Sequence, residues 1–222
     1  VILAYLTHKK WVFSDSGIKI LATRSSIVYR DLVQGIQGKN KMLICSSDNY
    51  DPVEVTKTFD MVGDPLLSGD ITKKYLTKIV STYITNLDEA TRNKIFCAFS
   101  NLELALSDSL LLEDLPLAIN FDEDLKKVLK MADLHLDENI LSDPYAIIET
   151  VLKIHQNCNL KTVPVFCNAT NYLDNRELAE LAQIAKQMRL MVVLIEFTST
   201  DFLVVPEDAQ FYYIDEDLVD WY

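Results

Sequence analysis

Glycine is scarce in this chain, and the five that are present never form a phosphate-cradling loop. Neither G-x-x-x-x-G-K-Ser/Thr nor G-x-G-x-x-G occurs, so the usual nucleotide chemistry of α/β proteins has no motif to rest on. No nucleophile elbow is present, and His8, His135 and His155 have no metal-like spacing. These absences point away from catalysis. Cys45, Cys97, Cys158 and Cys167 stand far apart without a C-x-x-C pair. That excludes a disulfide scaffold and a structural zinc site, and predicts free thiols in a reducing, cytoplasmic setting. No apolar run approaches the roughly 20 residues needed to span a bilayer, so no membrane partner is expected. The opening Val1 to Leu6 is short and has its positive charge behind it, unlike a signal peptide. A first residue other than methionine suggests a trimmed start.

Net positive charge is also missing. The formal charge of −12 argues against a non-specific nucleic-acid binder judged on the whole chain. Its distribution is uneven, however. Residues 1–47 carry seven Lys/Arg against two acids, residues 107–143 carry ten acids against three Lys, and residues 196–222 carry eight acids and no Lys/Arg. A local basic face can therefore coexist with acidic places where a divalent cation supplies the missing charge.

What is there reads as a mixed α/β chain. Lys10–Phe13 and Ile18–Leu21 predict two strands around a turn at 14–17. Ser25 or Ser26 caps a helix carrying Ile27, Val28, Leu32, Val33 and Ile36, with Gly38 as its stop. Met42–Cys45 predicts a strand, and 46–69, with two Asp-Pro pairs, predicts loop with at most short structure. Ile71, Tyr75, Ile79 and Tyr83 recur every four residues, then Ile95, Phe99, Leu102 and Leu106 follow a break at 86–88. Together these predict an antiparallel helical arm, whose apolar stripe serves either a partner or its own core. Residues 120–123 have the form of a capping box ahead of Leu125, and Leu134–Leu136 alternate like a short strand. Asp143-Pro144 predicts a helix start, Val163–Cys167 a strand, Asp174 with Glu177 a capped helix, and 190–197 a strand buried on both faces. Phe211–Ile214 predicts a last strand. The architecture expected is an α/β head, 1–70 and 113–222, with a mixed or parallel sheet, interrupted by a helical leg at 71–112.

Two clusters carry the candidate chemistry. Asp122, Glu123 and Asp124 sit at one helix start, and Asp137-Glu138 follow the next segment. If their carboxylates converge, a hard cation such as calcium must fill the centre with oxygen ligands; otherwise they complement the helix dipole and face solvent. Residue spacing leaves both open. Lys73, Lys74 and Lys78, with Arg92 and Lys94 on the next helix, either follow a phosphate backbone or form a solvated face. The tail acids Asp215, Glu216, Asp217 and Asp220 fit a solvated face or a subunit contact.

Val163-Pro-Val-Phe-Cys-Asn-Ala-Thr-Asn-Tyr-Leu173, Asp174-Asn-Arg-Glu-Leu178, Val192-Val-Leu-Ile-Glu-Phe197 and Tyr213-Ile-Asp-Glu-Asp217 together resemble the small adaptation protein of type II-A CRISPR systems. The likeness covers nearly the whole chain and is clearest after residue 160. It implies a degenerate relative of nucleotide-binding α/β proteins, without a catalytic site. It also implies a homotetrameric ring that binds double-stranded DNA ends during spacer acquisition, beside the CRISPR integrase and the RNA-guided nuclease. The resemblance further implies calcium held where head meets leg, with Asp122 and Glu123 as the first candidate ligands and Asp124 and Glu138 beside them. Lys73, Lys74 and Lys78 are then the residues expected to face DNA. This chain departs from the family in having 21 Lys/Arg against 33 acids. The alternative is a protein-interaction module that assembles without DNA affinity.

Overall fold

Strands that are apolar on both faces need cover on both sides, and one central sheet supplies it here. A computed structural model describes residues 1–6, 8–13, 15–119, 124–200 and 205–221. The elements run β1 (Ile2–Tyr5), β2 (Trp11–Val12), β3 (Gly17–Thr23), α1 (Ser26–Ile36), β4 (Leu43–Ser46), β5 (Pro52–Val53), α2 (Val55–Thr58) and β6 (Phe59–Gly63). After these come α3 (Ile71–Asn86), α4 (Glu89–Leu110), α5 (Leu125–Met131), α6 (Pro144–Asn157), β7 (Val163–Cys167), α7 (Asn175–Gln187), β8 (Met191–Phe197), β9 (Gln210–Ile214) and β10 (Asp220–Trp221). The fold is thus mixed α/β with inserted helices. The chain divides into two compact units, Val1–Ile71 with Asp137–Tyr222, and Thr72–Leu136.

In the α/β unit, six strands form a sheet in the order β10-β9-β3-β8-β7-β6, parallel throughout except for the β9–β10 pair. A second, antiparallel sheet has the order β2-β1-β4-β5. Leu21, Val165, Val193 and Ile195 join Val28, Leu32 and Ile36 of α1 and Leu3, Trp11 and Cys45 of the small sheet in one buried cluster. The alternate residues of the same strands, Ile20, Phe166, Val192 and Leu194, are equally buried, and α6 and α7 pack on the sheet there. Burial on both faces is what the near-continuous apolar runs of parallel strands require. Lys19 is buried in the middle of β3; burial lowers the pKa of its ammonium, against the pull of Asp15.

Three expectations change. The strands at 11–12 and 17–23 do not form a hairpin: β2 pairs with β1 in the small sheet, while β3 lies between β8 and β9 in the large one. All seven residues of β3 are buried, and a hairpin arm with one solvated face does not suit such a strand. The stretch 46–69 holds a full strand of the main sheet, β6, disguised by its charge at Asp60. That carboxylate meets Nε2 of the buried His155 at 3.2 Å. Leu134–Leu136 is not a strand. Asp133 takes a left-handed conformation (φ 51°), and the Leu134 N–H closes on the Leu129 carbonyl, which ends α5. Pro164 is the second residue of β7; it is in register with Asp60 of β6 but precedes the β7–β8 ladder, which begins at Val165.

In the helical unit, Asp88 caps α4 by accepting from the Thr91 N–H at 2.8 Å, and the Arg92 guanidinium donates to the Ile84 carbonyl at 2.9 Å. Arg92 is therefore spent on the end of α3. None of the residues of α4 is buried, and Leu102, Leu104 and Leu106 are all exposed. Among the described residues, no helix is long and apolar enough to cross a membrane.

Candidate nucleic-acid interface and calcium ligands

α3 contains no Asp or Glu in its sixteen residues, in a chain with twelve more acids than bases. Lys73, Lys74 and Lys78 are all exposed on it. Lys74 and Lys78 are one turn apart and share a face, the spacing that lets two ammonium groups reach successive phosphates. The Lys74 ammonium stands 5.4 Å from the centre of the buried Tyr75 ring, within cation–π range.

α5 adds basic residues that spacing alone did not single out. Its seven residues include Lys126, Lys127 and Lys130, again without an acid. They are the three lysines of the acid-rich stretch 107–143, gathered on one short helix. The signal in sequence is Leu-Lys-Lys-Val-Leu-Lys-Met, set among carboxylates that outnumber its lysines.

Of the calcium candidates, Asp122 and Glu123 lie outside the described residues. Asp124 is exposed and caps α5, one carboxylate oxygen accepting from the Lys126 N–H at 2.9 Å. Glu138 is exposed. Among the described residues, no three His, Cys, Asp or Glu side chains come together as a metal site. By residue type the candidates fit the ion, since carboxylate oxygens are the hard ligands that calcium takes.

The carboxyl ends of the parallel strands are where doubly wound sheets place ligands. Here the Asn168, Asn171 and Tyr172 N–H groups all donate to backbone carbonyls, and the Thr170 N–H donates to Glu196 Oε1. The Thr170 hydroxyl donates to the other oxygen of Glu196 at 2.7 Å. Glu196 is 1% exposed, and burial raises its carboxyl to about 7 despite those bonds. A loop whose amides are engaged, beside a buried acid, is a poor phosphate cradle. The tail acids also have structural work. Asp215 accepts from the Asp217 and Val219 N–H groups and the Trp221 indole, and Asp220 lies 2.9 Å from His8 Nδ1.

The model of a CRISPR-associated protein family (Cas_Csn2) matches residues 37–218. No curated protein matches the sequence. Among solved structures, the fold is similar to that in the crystal structure of Stu0660 of Streptococcus thermophilus. The likeness has a TM-score of 0.53 at 11% sequence identity, and covers 100% of this chain and 76% of that one. At that identity it speaks for the fold alone.

Proposed function

Because the chain belongs to the CRISPR-associated Cas_Csn2 family, we propose that the lysines of α3 and the carboxylates around α5 carry the family's activity here. That activity is non-catalytic, calcium-dependent binding of double-stranded DNA ends during spacer acquisition, by a tetramer. Lys73, Lys74 and Lys78 contact the phosphate backbone, repeated by each subunit of a ring through which the duplex passes. Asp122 and Glu123, with Asp124 and Glu138, hold calcium through their oxygens. Bound calcium supplies the positive charge that allows such carboxylates to stand together.

The observation that carries the DNA assignment is the acid-free, lysine-bearing α3 in a chain of net charge −12. One such helix is a weak duplex binder; four copies act on the same DNA with a high effective concentration, so affinity follows assembly. The α/β unit fits a degenerate nucleotide-binding sheet: five strands of its main sheet are parallel, and the amides of the loop after β7 are already engaged. The division into an α/β head and a helical leg supports the same picture. The helical unit takes in 72–112 and continues to Leu136. A cytoplasmic location and work beside the CRISPR integrase and RNA-guided nuclease complete the proposal.

The test is a salt titration of binding to a short linear duplex with calcium present. Lys74→Glu with Lys78→Glu weakens binding and lowers the salt slope by about 0.9 for each phosphate that is no longer neutralised. Affinity and slope both equal to those of the parent would place the phosphate-binding groups elsewhere.

A further inference from the structure

We propose that a groove between α3 and α5 receives the leucine-rich segment 111–117 of a second copy of this chain. The groove has a volume of about 550 Å³ and lies wholly within the helical unit. Leu76 and Val80 of α3, Leu129 of α5 and Leu134 form its apolar lining, and Lys126, Lys130 and Asp133 stand beside them, the Asp133 carboxylate 4.0 Å from His135 Nδ1. Its size falls within the roughly 300–1,000 Å³ of sites that enclose a ligand. The two lysines are four residues apart, hence on one side of α5. Among the described residues neither side chain makes an ion pair.

The occupant's chemistry is written in the chain itself. Residues 111–117 read Leu-Leu-Glu-Asp-Leu-Pro-Leu. Leu111, Leu112, Leu115 and Leu117 are 82%, 87%, 65% and 52% exposed, an accumulation of bare leucine far beyond scattered surface apolar residues. Between them stand Glu113 and Asp114, which likewise make no ion pair among the described residues. Four leucines with two carboxylates match a leucine-lined groove whose charged lining, two lysines against Asp133, is net positive, in polarity and in sign. Within one chain the segment's leucines remain in water, so they do not fill that chain's own groove. A protein that forms tetramers offers the second copy. An exchange in which each partner's segment enters the other's groove is self-complementary and closes by a two-fold axis.

The inference takes from the family only that the chain self-associates. It does not use the α3 lysines or the calcium ligands, and its test contains no DNA, so its failure is distinct from failure of the DNA assignment. Sedimentation velocity on the full chain in calcium reads the mass, with circular dichroism reporting retained helix. Leu112→Asp with Leu115→Asp lowers the mass from tetramer to dimer or monomer. So does reversal of the groove, Lys126→Glu with Lys130→Glu, and reversal of the segment, Glu113→Lys with Asp114→Lys. Mixing the two charge-reversed proteins one to one restores the tetramer, because each then meets a partner of opposite sign. Tetramers that survive either pair of reversals, or a mixture that stays dissociated, overturn the proposal.

Discussion

Glu196 occupies a place where a sequence offers no partner for it: an acid inside a strand that is otherwise Met-Val-Val-Leu-Ile-Phe. Its carboxyl rises to about 7 because burial penalises the anion more than Thr170 and the Ala169 amide relieve it. The folded protein therefore keeps a proton that the unfolded chain releases near its ordinary value of about 4.3. Stability from this group is full below that value and is lost as pH rises through about 7, by roughly 3–4 kcal/mol in all. Glu196→Gln removes this dependence. Denaturant melts at pH 5 and pH 8 show the parent losing more stability than the variant across that interval; equal losses would mean that the carboxyl titrates normally. At the proposed calcium ligands the expectation concerns affinity. Asp122→Asn and Glu123→Gln weaken calcium binding in isothermal titration, since each removes an anionic oxygen donor from a hard-cation site. Parental affinity in both variants would remove these two residues from the ligand set.

At the scale of elements, what the chain declares locally was legible and what it declares through distant partners was not. Ser25, Asp143 and Asp174 each cap a helix where their residue type predicts, and Asp174 and Glu177 complete a reciprocal capping box. Short-range chemistry decides those positions. Helix ends were harder, because three of them do without glycine. Asp133, Asn159 and Arg189 all take positive φ, as Gly38 does after α1, and the following N–H in each case bonds back to a carbonyl five residues earlier. An arginine in that conformation carries strain that glycine does not, and glycine's greater unfolded freedom offsets only part of the relief. Arg189→Gly accordingly raises stability by about 0.5–1 kcal/mol in chemical denaturation. A decrease in stability would show that the arginine side chain contributes more than its backbone costs. The misread pair at 11–21 has a different cause. Two apolar runs near in sequence resemble a hairpin, and only their neighbours, β1 for one and β8 with β9 for the other, assign them to separate sheets. β6 is not marked locally as a strand of the sheet, because the partner of its charged Asp60, His155, lies 95 residues away.

For the whole molecule, the acidic balance is the feature that DNA binding must overcome. A net charge of −12 per chain becomes a large self-repelling total in a tetramer, and phosphate adds to it. The arrangement that answers this is segregation. α3 presents lysines without acids, and three of the four tail acids, Asp215, Glu216 and Asp220, are taken up by turn amides and an indole, by Arg24 and by His8. The α3 lysines were legible as a face. Lys126, Lys127 and Lys130 were overlooked because ten acids surround them in sequence. The carboxylates form a cluster in sequence, whereas a ligand set requires convergence, which is a property of folded chains and not of spacing. Binding led by phosphate weakens steeply with salt, whereas closure around a duplex depends on access to an end. The most direct test is therefore a gel-shift titration comparing linear duplex with the same sequence as a closed circle, each with calcium and with chelator. A ring threaded from DNA ends shifts the linear form only, and only with calcium. An equal shift of the closed circle, or no shift of either form in calcium, would contradict the account.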